Sequence, residues 1–442
     1  MPFVPSKKQW VSTMPRFEPV STSVERERTI IIGLDRHDAA WPVEQSLDEL
    51  ARLADTADAE VVGRLTQRLE RPIPKSYMGS GKVLELKGFV DRLNAQVVIA
   101  DDDLSPSQQL YLEKALGGSC KIIDRTALIL DIFGRHARTR EGYLQVQLAQ
   151  LQYLLPRLRG MWSHLAKEQS RGGIGSRFGQ GETQLEIDRR IIRNRIATLR
   201  RELQELEKRR DVQSKSRAAS PAFRIALAGY TNAGKSTLLN RLTGSDVLSE
   251  DKLFATLDPT TRAYQLPGGR TVTITDTVGF IQKLPHGLVE AFKSTLSEVR
   301  NADLILKVVD ASDVNADRHI AAVESVLREI GAHDLPTLVV YNKVDLLEDH
   351  RLAELLENHP DAVGFSALTG AGLDPLLDRL ELEAAAQDTS VTCALPYSEG
   401  ALLSLIRAQG RVNSEDFQPD AIRLVCTIPT RLESALEPFR TE

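Results

Sequence analysis

Cysteine is scarce in this chain of 442 residues: three, at Cys120, Cys393 and Cys426. Their scattered spacing matches neither a metal-ligand set nor a disulfide framework, so a reducing compartment fits best. Aromatic residues make up only 5%. No run approaches the ~20 apolar residues that a membrane span needs. The first 25 residues hold Pro2, Pro5, Lys7, Lys8 and Pro15 but no apolar core. They read as a disordered leader and not as a secretory signal, and the chain reads as a cytoplasmic protein without a membrane span. What is present is ordinary for a soluble globular protein, with 42% hydrophobic and 26% charged residues. The length exceeds what one core supports.

Charge is uneven along the chain. Residues 135–217 carry 19 Lys+Arg against 9 Asp+Glu, a net of +10, although the whole chain sums to -5. Such an asymmetry points to a nucleic-acid face, and a solvated helix surface is the plainer alternative.

Patterning divides the chain into five parts: the leader 1–25, a small α/β domain over 26–134, a basic helical hairpin with a Gly-rich tip and linker over 135–221, a nucleotide-binding domain over 222–388 with a mixed, mostly parallel sheet, and a small α+β domain over 389–442. The fold class expected is therefore α/β multidomain. In the second part, apolar runs at 29–34, 60–63, 95–100 and 121–123 alternate with helix-like stretches at 46–57, 82–93 and 106–116. Ser105-Pro106 supplies an N-cap and a first-turn proline for the last of these. In the hairpin, Leu144, Leu148, Leu151 and Leu155 form one helical stripe. Leu185, Ile192, Ile196, Leu199, Leu203 and Leu206 form another, and two such helices joined by a loop pack antiparallel. Thr183 and Glu186 resemble a capping box opening the second helix, and 214–221 reads as a linker.

Four motifs carry chemistry. Gly229-Tyr230-Thr231-Asn232-Ala233-Gly234-Lys235-Ser236 sits between an apolar strand, 223–228, and a helix-like run, 237–242. Backbone N–H groups of such a loop surround phosphates. Gly229 and Gly234 permit the turn, Lys235 reaches the outer phosphates, and Ser236 offers a hydroxyl to Mg2+. Asp276-Thr277-Val278-Gly279 ends a second strand; Asp276 can hold Mg2+ through water, and the Gly279 N–H can meet the terminal phosphate. Asn342-Lys343-Val344-Asp345 follows a third strand. The Asp345 carboxylate can accept from two guanine N–H groups that adenine does not present, while Lys343 lies along the base. Ser366-Ala367-Leu368 adds the Ala367 N–H for guanine O6. A lone phosphate loop says only nucleotide; the four together imply GTP binding and hydrolysis.

A switch of this kind needs one threonine between Ser236 and Asp276 to close over Mg2+ and the terminal phosphate. Thr256, Thr260 and Thr261 all qualify, and spacing does not choose between them. After Gly279, where many switches place a water-orienting Gln, stands Phe280, so hydrolysis is expected to be slow until something else completes the site. Asn232 either lends its amide oxygen to a monovalent cation such as K+ or pins the switch backbone. Gly79-Ser80-Gly81-Lys82 imitates a phosphate loop but lacks its earlier glycine and has Val83 where Ser or Thr belongs; it reads as a helix start.

The hairpin tip, from Arg171 through Gly172, Gly173, Gly175, Arg177, Phe178, Gly179 and Gly181 to Glu186, is cationic and glycine-rich with one stacking ring. That composition suits insertion into folded RNA through Arg171, Arg177 and Phe178, with a plain connector as the alternative. Together with Phe254-Ala255-Thr256-Leu257-Asp258 and Asp276-Thr277-Val278-Gly279-Phe280, this run closely resembles the HflX family of ribosome-associated GTPases, over about 26–388. The resemblance implies a factor that binds the large ribosomal subunit with GTP and helps to split or rescue stalled ribosomes, the subunit stimulating hydrolysis; the chain is expected to act as a monomer. It favours Thr256 as the switch threonine, counts Phe254, Ala255, Thr256, Leu257 and Asp258 among the nucleotide-binding residues, places Mg2+ at Ser236 and Thr256, and makes Lys235, Thr256 and Gly279 the catalytic set. Two other readings stand beside it: a GTP-gated regulator of a protein or membrane partner, and ATP-dependent RNA remodelling by the N-terminal domain.

Overall fold

A computed structural model of the chain describes residues 26–118, 120–158, 180–218, 222–244, 253–283, 293–386 and 388–441. The leader and the tip residues Arg171, Arg177 and Phe178 lie outside them.

The first unit alternates strand and helix: β1 (Glu27–Asp35), α1 (Val43–Thr56), β2 (Ala59–Arg68), α2 (Ser80–Leu93), β3 (Val97–Ala100), α3 (Pro106–Ala115), β4 (Lys121–Asp124) and α4 (Arg125–His136). Its four strands are parallel in the order β2-β1-β3-β4. The run Ile30-Ile31-Ile32 is wholly buried because helices cover both faces of a parallel sheet. Ile31, Val97 and Ile99 face one core, while Ile30, Ile32 and Val98 face the other. Ser105 and Gln108 make the capping box that opens α3. Gly79 precedes α2 as its N-cap and donates its N–H to Gln67, so the Gly-Ser-Gly-Lys run begins a helix.

The arm consists of α5 (Arg140–Leu154) and α6 (Gln180–Ala218). Leu144 and Leu148 pack against Ile196 and Leu199, flanked by Leu151, Leu155, Ile192, Leu203 and Leu206. Arg140 meets Glu202 and Gln147 meets Arg195, so early residues of one helix face late residues of the other and the pair is antiparallel. Two sequence readings change here. The second helix already runs from Gln180, ahead of Thr183, so Thr183 is not its N-cap. It also continues through Ala218, taking in most of the expected linker: Lys215 and Arg217 propagate a helix at little cost once nucleated.

The central unit is a six-stranded sheet, β10-β9-β8-β5-β7-β6. Its strands are β5 (Phe223–Gly229), β6 (Thr260–Gln265), β7 (Thr271–Asp276), β8 (Leu304–Asp310), β9 (Thr337–Asn342) and β10 (Val363–Gly364). Only the edge strand β6 runs antiparallel to its neighbour. The helix Lys235–Thr243 follows the phosphate loop. One face of β5, Leu227 and Ile225, faces this unit's own core, whereas Ala226 and Ala228 join a cluster continuous with α1, α4 and α5. The first and central units therefore share apolar packing.

The last unit is an antiparallel sheet, β11-β13-β12, from Asp388–Pro396, Ala421–Pro429 and Arg411–Phe417. Helices Gly400–Gln409 and Thr430–Leu436 accompany it, Pro429 forming the N-cap of the second. All three cysteines are buried and free.

Candidate active site

The strand-to-helix turn after β5 brings the phosphate-loop residues into one cleft. Thr231, Asn232, Gly234, Lys235, Ser236 and Thr237 line it, facing Phe254, Ala255, Thr256, Thr277 and Gly279. Glycine is needed at three points. A Cβ on Gly229 would stand 2.3 Å from the Val308 carbonyl oxygen. On Gly234, at φ +89°, it would stand 2.1 Å from Asn342 Nδ2. On Gly279 it would lie 2.9 Å from Thr231 Cα and 3.0 Å from Lys235 Nζ. The loop is fastened to the strand end opposite it: Thr231 N donates to the Phe280 carbonyl at 2.7 Å and Phe280 N to the Gly229 carbonyl at 3.0 Å.

Lys235 curls over the loop, donating to the carbonyls of Gly229 at 3.2 Å and Tyr230 at 2.9 Å. Burial pushes its ammonium down to about 8, against the pull of the Asp276 charge. Ser236 Oγ donates to Asp276 Oδ2 at 2.6 Å and lies 2.8 Å from Thr256 Oγ1. Burial pushes the Asp276 carboxyl up, opposed by Lys235 and by hydrogen bonds from Ser236 and Thr256. Among the described residues, Asp276 Oδ1 and Thr231 Oγ1 are buried without a hydrogen-bond partner.

Of the three candidate switch threonines, Thr256 is the one at Ser236. Thr260 pairs with Asp276 in the β6–β7 ladder, and Thr261 Oγ1 lies 2.9 Å from Thr275 Oγ1. Thr277 donates its hydroxyl to the Leu227 carbonyl at 2.6 Å, and Val278 is buried. Phe280 is wholly buried in the core shared with α4 and does not line the phosphate cleft.

The base-recognition motifs reach the loop through Asn342. Its Nδ2 donates to the Ala233 carbonyl at 2.8 Å and its Oδ1 accepts from Ala367 N at 2.9 Å. Ser366 Oγ donates to Asp345, fixing that carboxylate, while Lys343, at φ +64°, pairs with Asp310 at 2.6 Å. Val344 and Asp345 lie in a 3-10 turn, and Leu368 is exposed. Leu257 is buried, and the Asp258 carboxylate accepts from the backbone N–H groups of residues 138 and 139.

Sequence reasoning missed a wall built by the first unit. The Tyr230 hydroxyl donates to Glu49 and accepts from Gln282 N at 2.7 Å. Arg125 donates to Glu49 at 2.6 Å and to Asp101. Lys283, just past Phe280, closes the ring on Asp101 and on Asp102 at 2.9 Å. Burial alone would raise the Asp101 carboxyl, but the charges of Arg125 and Lys283 hold it down at about 2. Tyr230 also stacks on His319 at 3.9 Å. The one available signal was Asp101-Asp102-Asp103 at the carboxyl end of a buried parallel strand.

Known families match in the same order. Residues 44–134 match the family described as GTP-binding GTPase N-terminal, 136–217 the GTP-binding GTPase middle region, and 224–343 the 50S ribosome-binding GTPase family. The chain is 47% identical to a GTPase HflX of Caldanaerobacter subterraneus subsp. tengcongensis, covering 94% of each chain. It is 45% identical to a GTPase HflX of Escherichia coli K12, covering 85% of this chain and 88% of the relative. A GTP-binding protein from Sulfolobus solfataricus solved with GDP aligns at a TM-score of 0.43 and 24% identity, over 80% of this chain and 98% of that one. No helix among the described residues is long and apolar enough to cross a membrane. The chain belongs to the GTPase HflX family, and it is an enzyme that hydrolyses GTP.

Proposed function

We propose that the GTP-loaded protein binds the large ribosomal subunit in the cytoplasm, as a monomer, and helps to split or rescue stalled ribosomes, the subunit stimulating hydrolysis. The observation that carries this reading is the antiparallel arm rooted beside the nucleotide cleft. Its second helix exposes Arg190, Arg193, Arg195, Arg200 and Arg201 to solvent, an arrangement suited to phosphate backbones. The match of residues 224–343 to a family described as 50S ribosome-binding supports the same partner. Arg171, Arg177 and Phe178 are the proposed RNA contacts at its tip.

The donor set fits Mg2+, a hard cation that takes oxygen ligands. Ser236, Thr256 and Asp276 bring oxygens together, and Asp276 Oδ1 is left unpartnered among the described residues. Ser236 and Thr256 would hold the ion directly, with Asp276 behind them. When bound, it supplies charge neutralisation at the outer phosphates. Lys235 neutralises the same phosphates from the loop side, Gly279 leaves room for them and offers its N–H, and Asp345 selects guanine. Asn232 is the candidate contact for a monovalent cation such as K+.

Pelleting with purified large subunits tests the reading. Protein loaded with a non-hydrolysable GTP analogue should co-sediment, salt-sensitively, and subunits should raise GTP turnover. Arg171→Ala with Arg177→Ala should weaken sedimentation without changing GTP affinity. Absence of salt-sensitive co-sedimentation, or of stimulation, would refute it.

A further inference from the structure

The segment that carries Thr256 is held from outside the central unit. Leu253, Phe254 and Leu257 are buried in the cluster shared with α4 and α5, Phe254 meeting Phe133 edge-on at 4.6 Å. Between these anchors Thr256 alone turns its hydroxyl to Ser236. The stretch ends on Asp258, whose carboxylate spans the joint between α4 and α5. Oδ2 accepts from the backbone N–H groups of Arg138 at 2.9 Å and Thr139 at 2.8 Å, and Oδ1 accepts from the Thr139 hydroxyl. Thr139 is the N-cap of α5, its Oγ1 accepting from Gly142 N at 3.0 Å. A carboxylate beside a helix N-terminus also meets the positive end of the helix dipole. Space for it exists because residue 142 is glycine: a Cβ there would stand 2.5 Å from Asp258 Oδ1.

The helix that Asp258 grips is the first helix of the arm, and its next turns, Leu144 and Leu148, are the residues that pack on α6. We propose that Asp258 is a positioning residue for GTP hydrolysis: by clamping the start of α5 it sets Thr256 against Ser236, so that closure over the terminal phosphate depends on how the arm is seated. Asp258 acts through the backbone of the switch and does not touch the nucleotide. The inference rests on GTP hydrolysis and on this geometry, not on the identity of the arm's partner.

Comparing GDP with a non-hydrolysable GTP analogue isolates the effect, because only the triphosphate needs Thr256 closed. In the full chain with Mg2+, Asp258→Ala should weaken analogue binding about 10-fold, the order expected for losing charge-assisted hydrogen bonds at a half-exposed site. GDP affinity should stay within about 2-fold, and kcat/KM should fall by at least the same factor as analogue affinity. Asp258→Asn, which keeps one of the two acceptor oxygens, should recover part of the loss. Gly142→Ala pushes the carboxylate away from the arm's side, where alanine suits a helix, and should reproduce most of the Asp258→Ala effect. Thr139→Val, which deletes one donor to Asp258 together with the N-cap acceptor for Gly142 N but leaves both backbone donors, should give a smaller one. Joining Gly142→Ala to Asp258→Ala should add nothing further. The proposal is overturned if Gly142→Ala and Thr139→Val both keep the wild-type analogue affinity and kcat/KM while Asp258→Ala loses them, since Asp258 would then act on the nucleotide directly. It is equally overturned if GDP binding falls in step with analogue binding, or if the two changes multiply in the double variant.

Discussion

Replacing Arg125 with Met tests whether the first unit is welded to the phosphate loop by charge. The guanidinium is 2% exposed and donates to Glu49, to Asp101 and to the Ser46 carbonyl at 3.0 Å. Methionine keeps an unbranched stem in the same space and deletes the charge. Breaking a buried pair from one side costs about 3–5 kcal/mol, because the partner's charge stays behind uncompensated. Two carboxylates lose a partner here, but not equally. Asp101 keeps Lys283 and the Ser46 hydroxyl, whereas Glu49 is left facing the Tyr230 hydroxyl. One stranded charge places Arg125→Met near the lower bound, about 3 kcal/mol. Adding Glu49→Gln removes that charge and should restore about 1–2 kcal/mol, although it deletes a further native group. Urea unfolding read by Trp41 fluorescence, in a Trp10→Phe, Trp162→Phe background, reports on the right place, since Trp41 stacks 5.6 Å from His319 beside the loop. A loss below about 1 kcal/mol, or a double variant weaker than Arg125→Met alone, would refute the reasoning.

Acid should expose the same network: the Asp101 carboxyl sits at about 2 in the folded chain against 3.8 otherwise, so its contribution is present above about pH 4 and lost as pH falls toward 2. Arg125→Met should move that acid limb to higher pH in a titration of thermal stability, and an unmoved limb would count against the assignment. Lys235, held at about 8 in the free protein, must be protonated to meet phosphate, so nucleotide binding takes up a proton above pH 8. Kd for a GTP analogue should be flat below that and rise by up to about tenfold per pH unit above it; a flat profile to pH 9.5 in equilibrium titrations would contradict this. Thr256→Ala should weaken analogue binding in Mg2+ by about 10-fold or more, while Thr261→Ala, which removes a hydroxyl contact within the β6–β7 ladder, should leave it nearly unchanged. Gly234→Ala, with φ +89° and a Cβ 2.1 Å from Asn342 Nδ2, should cost nucleotide affinity about 100-fold through strain and collision while the far-UV circular dichroism stays unaltered.

The four nucleotide motifs were legible because their chemistry demands particular residues within a few positions of a strand end, and a strand end is visible as an apolar run. The alternation of the first unit was legible for the same reason. What escaped depended on partners far along the chain. Helix α4 starts at Arg125 directly from β4, with Asp124 serving as both last strand residue and N-cap, so no turn announced it. The edge strand Arg411–Phe417 has exposed residues on both faces and lacks the apolar alternation by which strands are recognised. Asp258 lies inside the switch run and reads as a nucleotide residue; its acceptor role depends on backbone N–H groups at 138 and 139, about 120 residues earlier. Phe280 was read for what it cannot do to water, whereas its packing in the core with α4 shows why an apolar ring stands there.

These contacts are not equally strong, and the difference says where movement can begin. Three parts of the nucleotide site are tied to residues before 143: the loop through Tyr230 and Glu49, the stretch after Gly279 through Lys283, and the Thr256 segment through Asp258. The first tie is buried with Arg125 behind it, so opening it strands charge in a low-dielectric interior. Lys283 is 31% exposed, and Thr139 and Arg138 are exposed, so water replaces those partners at modest cost. A shift of the arm or the first unit should therefore hinge on the Tyr230–Glu49–Arg125 contact while the rim contacts at Lys283 and Asp258 exchange. That places the mobile ends of the network on the segments of Thr256 and Gly279, and the fixed end on the phosphate loop, 229–236.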